Sequence, residues 1–148
     1  MRVDYTIPYW HPIAIHFPIA FLLASSVASV VWLVRPDVFW GRLALVMSVL
    51  GSIGAIAAFK TGEAIRWARE GAPIIEELVA RHELLAKWTV AFGLVSVAWL
   101  AVILWRARAN ERVGIGGRIG AALACGAAAG IVAWGSHLGG LMTWGVPG

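Results

Sequence analysis

The sequence has few charged residues and a single cysteine. Charged side chains make up 14% of the 148 residues, whereas hydrophobic side chains make up 60%. A soluble globular domain needs more polar surface than this, so the composition predicts a chain that lies in a lipid bilayer. One cysteine cannot form an internal disulfide, and the sequence has no HExxH or CxxC motif, so any metal site must be inferred from geometry. The net charge of +4 requires no nucleic-acid partner.

Four long apolar runs account for most of the chain. They cover about residues 12–34, 43–60, 87–105 and 118–138. Each is close to the roughly 20 helical residues that cross about 30 Å of hydrocarbon. Backbone groups in lipid must be hydrogen-bonded within their own segment, and no alternating strand pattern competes, so the runs are helices. We therefore predict an all-α integral membrane protein, an up-down four-helix bundle that forms a single domain over residues 1–148.

The connection between the second and third runs predicts that these helices continue beyond the bilayer. Residues 63–69 keep helical periodicity, Gly71 supplies a helix stop, and Pro73 suits the first turn of the next helix. Apolar residues between 74 and 86 recur at intervals of three and four. We predict that helices 2 and 3 extend as a hairpin with one apolar face, which is either a solvated extension or a docking surface for a partner subunit.

Small residues predict where helices approach closely. The glycine stripes comprise Gly116, Gly120, Gly126 and Gly130 in the fourth run and Gly51 and Gly54 in the second. Glycine lets helix backbones pack against each other, and it also leaves room for a flat cofactor between helices. Both interpretations are open from the sequence.

All four histidines fall at the same end of the predicted bundle. His11 and His16 open the first run, His82 precedes the third, and His137 closes the fourth. Consecutive helices are antiparallel, so the starts of the first and third helices and the end of the fourth lie on one side of the membrane, together with both termini. Ionisable side chains at this depth are costly and mark a functional site by default.

Helical rise pairs the histidines by depth. Counting about 18 residues, or about 27 Å, along each helix from the membrane face opposite the histidines reaches His16 on the first helix and His137 on the fourth. A second layer about 7 to 8 Å further out holds His11 and His82. A b-type haem takes one axial nitrogen from each side of the porphyrin. We predict that His16 and His137 ligate haem b, since both lie in apolar sequence, with His11 and His82 as a second pair nearer water.

Two other interpretations of the histidines remain open. Neutral imidazole also suits zinc, copper or non-haem iron, and Glu63 would add an oxygen ligand. Alternatively, His11 caps the first helix and His82 is an ordinary interfacial residue, in which case the chain is a cofactor-free accessory or assembly subunit. The favoured interpretation is a non-catalytic, electron-carrying subunit of a membrane redox complex.

The distribution of cations predicts the orientation of the bundle. Two short connections at the end away from the histidines carry Arg35, Arg42, Arg106, Arg108, Arg112 and Arg118. The other cations are spread over a longer connection. The positive-inside rule weighs dense cations in short loops, so we expect the histidine end and both termini to lie outside the cytoplasm.

Four segments resemble a known family. They are HPIAIHFPIA (11–20), TGEA (61–64), HELLA (82–86) and GSHLGG (135–140). Together they resemble the predicted four-helix bacterial membrane proteins of domain-of-unknown-function family 2231 over nearly the whole chain. The resemblance implies the bacterial inner (cytoplasmic) membrane. Because relatives are joined to Rieske iron–sulfur domains or lie near cytochromes, it also implies a respiratory electron-transfer setting, with other subunits, a quinone or a cytochrome as partners.

Overall fold

The computed structural model describes residues 6–67, 73–107 and 113–144, which form four long helices. The helices are α1 (Thr6–Val34), α2 (Val38–Trp67), α3 (Pro73–Ala107) and α4 (Ile115–Trp144). The segments long and apolar enough to cross a membrane are Trp10–Val34, Val38–Ala64, Glu76–Ala107 and Ile115–Met142. These segments contain the four predicted spans. The prediction of an all-α four-helix membrane bundle is therefore confirmed.

The helices on the histidine side continue past the predicted spans. α2 runs to Trp67 and α3 begins at Pro73, where the sequence predicts a helix start. α1 and α4 are extended at the same end, since α1 begins at Thr6 and α4 ends at Trp144. The predicted helix stop at Gly71 lies outside the described residues.

The helices pack as a closed ring. α1 contacts α2 and α4, and α3 contacts the same two helices from the other side. Consecutive helices are antiparallel, so the start of α1 and the end of α4 lie at the same end of the bundle. In this ring α1 and α3 are diagonal to each other, and so are α2 and α4. The diagonal relation determines which side chains meet across the interior.

Residues that face the interior recur every seven positions on each helix. The stripes are His11, Pro18, Ser25 and Trp32 on α1; Gly41, Ser48, Ala55 and Gly62 on α2; His82, Thr89, Ser96 and Ile103 on α3; and Arg118, Cys125, Val132 and Gly139 on α4. Every one of these residues is buried or half-buried. A sustained seven-residue repeat is the pattern of helices that pack side by side with a left-handed supercoil.

The four stripes meet in layers. Near the middle of the bundle, Ser25 Oγ lies 2.7 Å from Ser48 Oγ and 3.4 Å from Cys125 Sγ, and it donates to the carbonyl oxygen of Ala44 at 2.9 Å. These contacts join three helices through buried polar groups. They also place residues 25, 48 and 125 at one depth, and each step of seven residues moves about 10 Å along the bundle.

Close helix approach occurs at some of the predicted glycines. A Cβ added to Gly51 would lie 2.7 Å from Leu22, and one added to Gly54 would lie 2.7 Å from Phe17. Gly120 faces the Trp99 ring in the same way, at 2.5 Å. Gly51 and Gly54 confirm the prediction, because the backbone nitrogens of Leu22 and Pro18 also lie within 3.1 Å of the added Cβ atoms. Gly120 meets only a side chain, and a Cβ on Gly116 would meet nothing within 4 Å.

The central GxxxG pair of α4 does not form such a seam. A Cβ on Gly126 would reach only the Ser26 hydroxyl, at 4.0 Å, and one on Gly130 would meet nothing within 4 Å. Gly130 is exposed and lies seven residues after exposed Leu123, so both residues are on the outer face of α4. The prediction that Gly130 lines a helix contact or a cofactor face is therefore wrong.

Arg118 attaches the end of α1 to the start of α4. Its guanidinium donates to the carbonyl oxygens of Trp32 and Leu33, at 3.0 and 3.1 Å. The carbonyl groups in the last turn of a helix lack N–H partners within the helix. The Trp32 carbonyl would accept from the N–H of residue 36, but Pro36 has no N–H. The positive charge also complements the C-terminal end of the α1 dipole.

We expect Arg118→Leu to lower the free energy of unfolding by about 1 to 3 kcal/mol, because it leaves two carbonyls without a donor. Denaturant unfolding in detergent, followed by tryptophan fluorescence, measures this loss. Exposed Arg106, in the last turn of α3, is the matched control, and Arg106→Leu should change stability much less. Equal losses in the two variants would contradict the assigned role of Arg118.

Candidate histidine site at one end of the bundle

His11 and His82 face the bundle interior from diagonal helices. Each is half-buried and begins the interior stripe of its helix, α1 for His11 and α3 for His82. We call His11 and His82 the inner pair.

The hydrogen bonds of His11 determine which of its ring nitrogens is protonated. The Thr61 hydroxyl has one proton, which points to the carbonyl oxygens of Ala57 and Ala58, at 3.0 Å each. Thr61 Oγ1 therefore accepts the bond that joins it to His11 Nδ1, also at 3.0 Å. His11 thus carries a proton on Nδ1, and in the neutral ring Nε2 is the nitrogen with the lone pair.

His82 is held in the same tautomer by a different helix. Its Nδ1 lies 2.9 Å from the carbonyl oxygen of Gly135 on α4. A carbonyl oxygen only accepts, so Nδ1 must carry the proton and Nε2 again keeps its lone pair. Metal-binding histidines typically donate the other ring N–H to a backbone carbonyl or another acceptor, which orients the ring and raises its basicity. Both members of the inner pair have this arrangement.

Glycines occupy the other diagonal at the same level. A Cβ on Gly62 of α2 would lie 3.1 Å from Cε1 of His11, and one on Gly139 of α4 would lie 3.4 Å from Cε1 of His82. Each imidazole therefore packs over a glycine of a neighbouring helix. The layer alternates histidine, glycine, histidine and glycine around the ring, so the side chains that the four interior stripes project into it are the two imidazoles.

His16 and His137 lie on the outside of the bundle. Both side chains are exposed. His16 Nδ1 bonds to the carbonyl oxygen of Pro12 in its own helix, and the His137 ring lies 5.9 Å from the Trp134 ring. We call His16 and His137 the outer pair. Haem ligation by the outer pair stays a prediction, but its placement on the exterior does not favour it.

The sequence does contain a signal that separates the two pairs. Counting helical rise gives the depth of a residue but not the direction in which it points. The seven-residue spacing groups the residues that share a face: His11 is followed at this interval by Pro18, Ser25 and Trp32, and His16 by Leu23 and Val30. In the structure the first group is buried, whereas Leu23 and Val30 are exposed. The repeat thus separates the two pairs, and the burial shows which of them faces the interior.

Glu63 does not join the histidines as a third ligand. Its carboxylate pairs with Lys60 at 2.9 Å, next to Gly62 on α2. Within residues 6–67, 73–107 and 113–144, no three His, Cys, Asp or Glu side chains come together as a metal-binding group. The alternative in which Glu63 completes a metal-ion site therefore has no geometric support in the described part of the chain.

Charged pairs on α2 and α3 lie at the same end of the bundle as the inner pair. Besides Lys60 with Glu63, Lys87 pairs with Glu83 at 2.7 Å. The lysine side chains are 69% and 57% exposed, so they remain available to polar groups at the membrane surface.

Comparison with known proteins identifies a family. A model described as a predicted membrane protein (DUF2231) matches residues 8–146. This range contains all four histidines and both glycines of the site. Neither the curated proteins nor the solved structures gave a significant match.

Proposed function

The chain belongs to the DUF2231 family of predicted membrane proteins, and on this premise we propose that it is an electron-transfer subunit that binds b-type haem through His11 and His82. The observation that carries the proposal is the histidine–glycine layer. Two imidazoles with free Nε2 atoms project into it from one diagonal, and glycines occupy the other.

The ligand set suits a haem better than a bare metal ion. Bis-histidine haem needs two protein ligands, because the porphyrin supplies the remaining four nitrogens. Zinc sites usually take three or four protein ligands, and the described residues bring no third one to the inner pair. When bound, such a haem exchanges one electron between its ferric and ferrous forms.

The surrounding residues have separable roles in this proposal. Thr61 and Gly135 hold the imidazole rings by their Nδ1 atoms, so the Nε2 lone pairs are directed before any ligand arrives. Gly62 and Gly139 add no side chain to the layer, so the His11 and His82 rings pack directly on α2 and α4. Lys60 and Lys87 lie at the same end of the bundle, and each would have to leave its glutamate partner to bind a carboxylate group of haem.

The position of the inner pair indicates how electrons would be exchanged. His11 lies next to Trp10, where the first candidate span begins, so the site is near one membrane surface. We propose that this surface is the extracytoplasmic face of a bacterial inner membrane. There the site exchanges electrons with another subunit of a membrane redox complex, a quinone or a cytochrome.

An optical spectrum of the purified protein tests the proposal. Protein expressed with adequate haem supply should show the sharp α and β bands of six-coordinate bis-histidine haem after reduction, at about one haem per chain. Stoichiometric metal without porphyrin would replace the proposal with a metal-ion site. Folded protein with neither, still bound to a membrane complex, would replace it with a cofactor-free accessory subunit.

Cysteine labelling tests the orientation. Asp37 and Glu76 are exposed at opposite ends of the bundle, and native Cys125 is buried. In intact spheroplasts, Glu76→Cys should react with a membrane-impermeant maleimide, and Asp37→Cys should react only after lysis. The positive-inside distribution of arginines is the reason. The reverse result would place the histidine end in the cytoplasm.

A further inference from the structure

The outer surface at the histidine end carries the two imidazoles of the outer pair. His16 and His137 are exposed, and they lie inside the candidate spans Trp10–Val34 and Ile115–Met142. Ionisable side chains within a span are costly and mark a functional site by default. His16 bonds to a carbonyl oxygen of its own helix, and no residue that the structure describes forms a hydrogen bond with the His137 ring. Both imidazoles therefore have hydrogen-bonding capacity left for a ligand.

The outer pair borders the groove between α1 and α4. Ile19, one turn from His16, packs against the apolar cluster that joins α1 to α4. Gly126 of α4 faces α1, because a Cβ built on it would lie 4.0 Å from the hydroxyl of Ser26. His137 follows Gly126 by eleven residues, or about three turns, so it lies on the same side of α4.

The two imidazoles differ in depth by less than one helical turn. Ser25 of α1 and Cys125 of α4 share a layer. Because α1 and α4 are antiparallel, His16, nine residues before that layer, is level with Trp134, nine residues after it. His137 lies three residues beyond Trp134, about 4.5 Å along the axis, and its ring is 5.9 Å from the exposed indole ring. Neighbouring helices lie about 8 to 10 Å apart, so one small ring can contact both imidazoles.

The charge of these two helices restricts the chemistry of the ligand. α1 has no charged residue between Thr6 and Val34, and the charged residue within α4 is Arg118, at the opposite end of the bundle. Lys60 and Lys87 lie on α2 and α3. A lipid phosphate would therefore find no cation on α1 or α4 here. A neutral ring with hydroxyl groups suits two imidazoles and an indole better.

We propose that the outer pair binds the ring of a quinol, which donates electrons to the haem at the inner pair. This assignment rests on the proposed function. His16 donates from Nδ1 to the carbonyl oxygen of Pro12, so in the neutral ring its Nε2 accepts a hydrogen bond from one quinol hydroxyl. His137 accepts from the other hydroxyl, and Trp134 offers a ring for stacking.

The oxidation of the quinol balances within this arrangement. Two O–H bonds break, and the quinol becomes a quinone. Its two electrons pass one at a time to the haem iron, which the redox partner oxidises again between the two transfers. The two protons pass from the hydroxyls to the outer imidazoles and then to water at the nearby membrane surface.

Histidine NMR tests the binding site without using the haem. Protein with isotopically labelled histidine, in phosphatidylcholine nanodiscs, is titrated with decylubiquinol. We expect saturable shifts of the His16 and His137 ring resonances, which His16→Gln and His137→Gln assign, and no such shifts with phosphatidylglycerol. Unmoved resonances, or equal shifts with phosphatidylglycerol, would overturn the proposal. The titration works on protein that lacks haem, so it separates failure of the quinol site from failure of the proposed function.

The rate of haem reduction tests the role of the quinol as electron donor. With decylubiquinol, His16→Phe and His137→Phe should each slow haem reduction by about threefold to tenfold, because each removes one hydrogen bond to the quinol. Reduction by dithionite, which needs no binding site, should stay unchanged. Trp88→Phe is the matched control and should keep the wild-type rate, since it alters an exposed aromatic side chain at a similar depth on α3. Wild-type rates in both histidine variants would refute the proposal.

Discussion

Replacement of His82 with glutamine is expected to abolish the bis-histidine haem spectrum and to reduce haem content by more than about tenfold. His82 supplies one of the two Nε2 lone pairs in the histidine–glycine layer, and no other imidazole in the described chain faces that layer. His11→Gln should have the same effect. The pyridine haemochrome assay on purified protein measures haem content, and circular dichroism checks that the helices remain folded.

The outer pair supplies matched controls for this experiment. His16→Gln and His137→Gln alter side chains at the same end of the bundle, but these side chains are exposed, so the spectrum should persist at wild-type intensity. Loss of the spectrum in these two variants with retention in His11→Gln and His82→Gln would reverse the assignment and make the outer pair the ligands. Loss of the spectrum in only one of these two variants would mean that another residue supplies the second axial ligand.

Substitution of Gly41 with alanine is expected to give a large loss of stability in the bundle. The new Cβ would lie 2.6 Å from two atoms of the Trp32 ring and 2.9 Å from a third. Trp32 is 1% exposed, so its ring cannot move aside without displacing neighbouring core residues. Overpacking of this kind costs about 1 to 3 kcal/mol, which denaturant unfolding in detergent resolves.

Two other glycine-to-alanine variants serve as comparisons for the stability loss expected at Gly41. Gly120→Ala also meets a tryptophan ring, at 2.5 Å, but Trp99 is 43% exposed and can shift toward lipid, so a smaller loss is expected. Gly130→Ala meets nothing within 4 Å and should raise helix stability by up to about 1 kcal/mol. If all three variants behaved alike, the loss at Gly41 would reflect the change of residue type and not the contact with Trp32.

The predicted helices follow from properties that the sequence carries locally. Apolar runs of membrane-spanning length determine four helices, and Pro73 marks the start of the third as the structure has it. Because consecutive spans must alternate in direction, the position of the histidines along the chain is enough to place them at one end. Gly51 and Gly54 are close-contact residues as predicted, but the more conspicuous pair Gly126 and Gly130 is not.

What only the tertiary structure decided is the direction and pairing of the side chains. Depth follows from a rise of about 1.5 Å per residue, but each residue also turns the side chain by about 100°, so neighbours in sequence point to different surroundings. Five residues separate His11 from His16, and one faces the interior while the other faces outward. The opposing glycines, the acceptors at Thr61 and Gly135, and hence the free Nε2 atoms come from other helices. A contact between helices depends on their relative rotation and register, and no single segment of the sequence contains that information.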